Sequence, residues 1–332
     1  MRRLAFCALV PAIAVTAAPV SSGARLLRVA YVVPVVASPD PHDLYGAALL
    51  GFERAVKHFR IHARVVEFPP RAGAAPTLRA LGAQRYDLVM IGEVRLGGDV
   101  TAVLHVARQF PGTKFVLTDP PVYTRWPSNV EGSIWRVEEP AYLAGYLAGL
   151  MERRQAGPDV AGSVGGFSIV PVNTFIKGFE AGARAADPHI RLLRGYTQDF
   201  LDPSRCRSFA LAQIARGARV VFNVAGLCGL GTIDAAKRRG VWAVGVDVDQ
   251  SFLGRQMLTS VLKRFDVEVY DTVQALVQGK LRTGGNMVWN LHNKAVGLGK
   301  ISPEVPAAVL RRIAAVRAGI AAGRIHVPRA ER

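Results

Sequence analysis

Between residues 240 and 266 the chain delivers an acid and a base to the ends of successive elements. Residues 241–246 form a short run rich in β-branched side chains, which predicts a buried parallel strand. That strand would carry Asp247, Asp249 and Gln250 to its carboxyl end, where open α/β sheets bind ligands. A second run, residues 258–262, ends in Lys263. A carboxylate and an ammonium presented side by side suit a polar small molecule. The remaining candidates for chemistry are weaker. His58 and His62 have the spacing of a two-histidine metal site on one helix face, but the helical pattern ends near Phe59 and the glutamate of a zincin motif is missing. The glycines of 225–231 are spaced Gly-x-x-Gly-x-Gly, which is not the dinucleotide fingerprint. With no nucleophile elbow and no phosphate loop, neither catalysis, nor a cofactor, nor a metal is expected.

These residues need a frame, and the rest of the chain supplies one. Strand-like runs at 27–33, 63–66, 88–91, 114–118, 160–164, 191–196, 220–223 and 242–246 alternate with stretches of helical apolar spacing at 44–59, 102–109, 140–153, 173–186, 203–216, 231–238 and 267–278. Such alternation predicts an α/β protein with parallel sheets, and eight strands suit two sheets. A final helix rich in Ala and Arg falls within 303–328. At 332 residues, half of them hydrophobic and 20% charged, the chain should bury large cores in two lobes. The net charge of +17 is spread singly and in pairs rather than in a Lys/Arg block, which argues against nucleic acid as a partner and leaves a basic surface suited to anionic lipid.

The first 24 residues combine a basic start, an apolar stretch and small residues before Arg25, the pattern of a secretory signal peptide. An uncleaved anchor is the alternative. Cys7 comes too early in that stretch to suit lipid attachment. Export to an oxidising compartment would leave Cys206 and Cys228 as an even pair, and a helix packed antiparallel to its strand would bring them together. They are the disulfide candidates, with two packed thiols as the alternative.

Several segments in order then resemble one family: 142–145 (YLAG), 171–182 (PVNTFIKGFEAG), 200–203 (FLDP), 245–250 (GVDVDQ), 258–264 (LTSVLKR) and 295–299 (AVGLG). They are similar to the basic-membrane-protein family, extracytoplasmic substrate-binding proteins of ABC transporters that include purine nucleoside receptors. The resemblance runs from about residue 85 to 328. It implies a type I periplasmic-binding-protein fold, two Rossmann-like lobes on a three-strand hinge, binding without catalysis, and an ABC permease as partner.

It also implies roles. Asp247 resembles the acid that grips ribose hydroxyls, Lys263 the cation beside it, and Phe175 a ring that stacks on a base; backbone at Gly226 would border the ligand. The amino-terminal lobe departs from the family pattern. Where Ser-Phe-Asn is expected the chain has Asp43, Leu44 and Tyr45, and a Gly-x-Gly-Phe turn becomes Ile91-Gly92-Glu93-Val94. Asp43 and Tyr45 are therefore candidate contacts of altered character. The expected organisation is a leader at 1–24, one lobe from 25–136 plus 264–288, and a second from 137–263 plus 289–332. The expected function is uptake of a nucleoside or sugar-like solute outside the cytoplasm, at the plasma membrane, with a ligand sensor of the same fold as the alternative.

Overall fold

The computed structural model describes residues 25–35, 40, 42–69, 72–92, 100–120 and 125–330. The expected leader at 1–24 and the Glu93-Val94 turn lie outside them. In chain order the strands are β1 (Leu27–Pro34), β2 (Ile61–Phe68), β3 (Leu88–Ile91), β4 (Lys114–Thr118), β5 (Val130–Trp135), β6 (Val160–Gly165), β7 (Arg191–Tyr196), β8 (Val220–Val224), β9 (Trp242–Asp247), β10 (Met257–Lys263), β11 (Asn286–Trp289) and β12 (Val296–Leu298). The helices are α1 (Leu44–His58), α2 (Ala75–Ala83), α3 (Val100–Gln109), α4 (Glu138–Glu152), α5 (Val170–Ala186), α6 (Pro203–Ala215), α7 (Gly229–Arg239), α8 (Phe265–Val277) and α9 (Ala307–Ala321).

The strands make two six-stranded sheets, ordered β11-β5-β4-β3-β1-β2 and β12-β10-β9-β8-β6-β7. Every neighbouring pair is parallel except β10 with β12. This is the α/β architecture expected. Four elements were not foreseen, and each has a physical reason. β5 interrupts its apolar residues with Glu131, Gly132 and Ser133, β11 and β12 are only four and three residues long, and α2 carries little apolar spacing beyond Leu78 and Leu81.

The chain passes between the sheets three times: after β5, after β10, and between β11 and β12. Each passage carries a large ring. Trp135 lies 5.0 Å from Phe265 and 6.0 Å from Trp289, centroid to centroid, and all three are buried. Buried aromatics in contact add stabilisation beyond the area they bury.

The second sheet's helices are drawn in tightly. A Cβ at Gly145 of α4 would stand 1.8 Å from the Phe179 carbonyl of α5, and one at Gly182 would stand 1.9 Å from the Tyr142 carbonyl. Two of the segments that carry the family resemblance are thus a helix-to-helix contact that no larger residue could make. The Sγ atoms of Cys206, in α6, and Cys228, just before α7, lie 1.96 Å apart, the distance of a disulfide, with Cα atoms 5.5 Å apart. His58 ends α1 and His62 sits in β2, so the two histidines do not share a helix. Among the described residues no cluster of His, Cys, Asp and Glu could hold a metal ion.

Candidate functional site

A cavity of about 610 Å³ lies where the two sheets face each other. From the first sheet it takes Asp119 and Pro120 after β4, and Ile134 and Trp135 at the end of β5; from the second, the start of α5 from Ser168 to Phe175 and Lys263 at the end of β10. Most of the wall is apolar. Its cations are Lys263, which is 9% exposed and forms the polar pole, and the exposed Arg329.

Two aspartates approach that ammonium, one from each sheet. Asp119 Oδ2 is 2.7 Å from Lys263 Nζ, and Asp247 Oδ1 is 3.8 Å away. Both have left-handed backbones, at φ +52° and +65°. For a residue with a Cβ this conformation costs on the order of 1 kcal/mol, and Asp tolerates it better than most. Each closes a parallel strand at its carboxyl end, β4 in one sheet and β9 in the other, where a sharp turn brings the side chain to Lys263. The Phe175 ring centroid is 5.6 Å from Lys263 Nζ and that of Phe265 is 5.9 Å, so the cation also lies against aromatic rings.

Beneath Asp119 is a fully buried carboxyl. Glu268 of α8 accepts a hydrogen bond from Thr118 Oγ1 at 2.9 Å and interacts with the Ser133 hydroxyl, whose oxygen in turn accepts from Trp289 Nε1 at 3.2 Å. Burial pushes the pKa of Glu268 up to about 7; its hydroxyl partners pull it down, Asp119 raises it and Lys263 lowers it.

Of the residues expected from sequence, Lys263 and Phe175 line the cavity, and Asp247 stands behind the lining in contact with Lys263. The other three are neither in the lining nor paired with Lys263. Asp43 Oδ1 accepts from the Tyr45 amide at 2.8 Å and caps α1, and burial raises its pKa. Tyr45 is 5% exposed, with its ring in the hydrophobic core beside β1. Gly226 has φ +55°, and a Cβ there would come 3.2 Å from the Phe200 carbonyl, so a close turn requires glycine. In the first turn of α7 a Cβ at Gly231 would strike the Pro203 carbonyl of α6 at 1.8 Å. The glycines that imitate a phosphate loop therefore serve helix packing.

Sequence reasoning missed Asp119, Trp135 and Glu268. Asp119 had a readable signal: it follows an apolar run and precedes Pro120, as Asp247 follows 242–246. Trp135 and Glu268 had none, because their roles depend on the crossing of three distant segments.

Comparison with known proteins decides the family. Residues 42–331 match the profile of Bmp, the PnrA-like ABC transporter substrate-binding proteins. The chain belongs to this family. It is 34% identical over 205 residues to basic membrane protein B of Borrelia garinii, a match covering 59% of each chain. It is 31% identical over 263 residues to a lipoprotein of Pyrococcus horikoshii, covering 75% of this chain and 63% of that one. The chain thus spans about three fifths of these two relatives. Among solved structures it resembles an ABC transporter solute-binding protein of Aeropyrum pernix, with TM-score 0.74, 24% identity and 92% and 94% of the two chains covered. Another, from Conexibacter woesei, gives TM-score 0.72 at 24% identity over 91% and 99%. These likenesses show a type I periplasmic-binding-protein fold. No helix of the described residues is long and apolar enough to cross a membrane.

Proposed function

We propose that this protein is the extracytoplasmic solute-binding component of an ABC importer, which takes a nucleoside or related ribosylated or sugar-like compound between its lobes and passes it to a membrane permease at the plasma membrane. The observation that carries this reading is the convergence of Asp119 and Asp247, one from each sheet, on the buried Lys263 at the end of a mostly apolar cavity. Two carboxylates can accept the paired hydroxyls of a ribose away from water, while Phe175 and Trp135 give the flat part of the ligand an aromatic wall. Binding without chemistry fits a substrate-binding family. The lobes in this reading are 25–136 with 264–288 and 137–263 with 289–332, and they close about the three crossings. Ligand favours the closed form because it touches both lobes only there.

A thermal-shift screen of nucleosides, free bases and sugars tests this, followed by calorimetry of the best ligand. A ribosylated compound should stabilise the protein, by roughly 2.7 kcal/mol at a hundred times its dissociation constant. Asp247→Ala should then weaken binding by about 2–5 kcal/mol without unfolding the chain. A screen in which only compounds lacking vicinal hydroxyls bind would reject the ribose reading, and unchanged affinity in the variant would remove Asp247 from the site.

A further inference from the structure

Outside the cavity lining, α9 presents a surface that solute binding does not use. From Val305 to Ala330 the sequence contains Arg311, Arg312, Arg317 and Arg324, besides Arg329, which lines the cavity, and no aspartate or glutamate. Several arginines elsewhere in the second lobe are held by acids: Arg194 by Glu180, Arg207 and Arg238 by Asp234, and Arg219 by Glu152. By contrast, Arg311, Arg312 and Arg317 are exposed and make no side-chain hydrogen bond or ion pair among the described residues. They fall within two turns of helix, about 9 Å of its length, with Arg311 central on the exposed arc and Arg312 and Arg317 at its two edges, on either side of the buried Ile313 and Ile320. The residues exposed between them are Leu310 and small alanines such as Ala314, Ala315 and Ala318, with no hydrogen-bonding side chain to specify a protein surface.

Beside this face runs a groove of about 520 Å³. Leu298, Ile301, Leu310 and Ile313 line it, and His292, Lys294 and Arg317 lie along it. An apolar furrow with cations beside it and no carboxylate in its lining is complementary to an anionic amphiphile. Phosphates can meet the guanidinium groups, arginine stems can lie along the acyl boundary with their heads in water, and alanines allow the helix to approach closely. A nucleic acid would instead want aromatic rings to stack on, and this face has none.

We propose that the exposed face of α9, together with the groove beside it, docks the second lobe on an anionic phospholipid surface. The attachment is electrostatic and reversible. Each arginine near such a surface contributes about fivefold in partition, and the attraction weakens as salt shortens the Debye length.

Vesicle co-sedimentation tests the proposal. The full chain is mixed with vesicles of phosphatidylcholine alone or of phosphatidylcholine and phosphatidylglycerol in equal parts, at low and high salt. Any apolar attachment through the amino-terminal residues is common to both vesicle types and cancels in their ratio. The expected result is a preference for the anionic vesicles that falls about 100-fold in the triple variant Arg311→Gln, Arg312→Gln, Arg317→Gln. The comparison variant Lys237→Gln, Arg238→Gln, Arg239→Gln removes the same charge from α7 and should lose far less. Circular dichroism and melting temperature establish that both variants fold. Equal losses in the two variants would mean that net charge, not this face, attracts the lipid, and would overturn the proposal. So would an α9 variant that sediments with anionic vesicles like the parent, which would leave the face to a protein partner. Solute affinity is measured separately, so failure here leaves the cleft reading untouched.

Discussion

Asp119 and Asp247 occupy corresponding places in the two lobes, yet they are held differently. Both end a parallel strand, both have a left-handed backbone, and both face the same lysine. Asp119 is close to Lys263 and 14% exposed; Asp247 is more than an ångström farther away and 30% exposed. A buried pair at hydrogen-bond distance is costly to break, because the partner left behind is an uncompensated charge. A longer, wetter pair contributes little. The first lobe's aspartate is therefore the stronger tie to Lys263, and the second lobe's aspartate can give up its contact at smaller cost to the fold.

The strongest way to break this comparison is to remove the cation. Lys263→Met should destabilise the protein by about 3–5 kcal/mol in chemical denaturation, since two carboxylates would then face each other in a partly buried site. A loss under about 1 kcal/mol would mean that solvent already screens the pole and that neither aspartate is tied to it.

Glu268 sharpens the contrast, because it lies under the first lobe's strand end and interacts with Asp119. Its folded pKa of about 7 lies above the ordinary 4.5, so the folded protein holds the proton more tightly than the unfolded chain. Its contribution is fully present below about pH 4.5 and is lost as the pH rises to about 7. Glu268→Gln should flatten that slope and leave the variant more stable than the parent at pH 8, by about 3 kcal/mol at most. Melting temperatures across pH 4 to 8 give the answer, and parallel curves for the two proteins would show that Glu268 carries no such proton.

The smallest effect is the most direct comparison of the two positions. Asp119→Asn should cost about 2 kcal/mol of stability, and Asp247→Asn less than about 1 kcal/mol, as read from urea denaturation without ligand. Equal costs would erase the distinction between the two positions.

Much of the second lobe was readable from the sequence. Its strands are short β-branched runs and its helices keep clean apolar spacing, so residue pattern by itself puts Asp247 and Lys263 at strand ends. The disulfide candidates could be found from the expected leader, which leaves an even pair in an oxidising compartment, and from the packing of a helix on its strand. The first lobe was less legible because its part in the site comes through a strand interrupted by Glu131, Gly132 and Ser133, and through Glu268, whose partners Thr118 and Ser133 are more than a hundred residues away. Local pattern cannot report contacts of that range. Tyr45 shows the converse limit: a residue placed at the site by resemblance has its ring in the core.

The three rings at the crossings give the molecule an optical property. Two of its four tryptophans, Trp135 and Trp289, are neighbours at the pivot, and Trp135 also forms part of the cavity wall. Indole emission responds to the polarity and quenching groups around it, so a rotation of one lobe against the other that changes the cavity would alter the solvation of Trp135, a fluorophore the chain already carries. Steady-state and stopped-flow emission from the unlabelled protein would therefore follow the pivot itself in real time, with Trp126 and Trp242 as the background against which it is read.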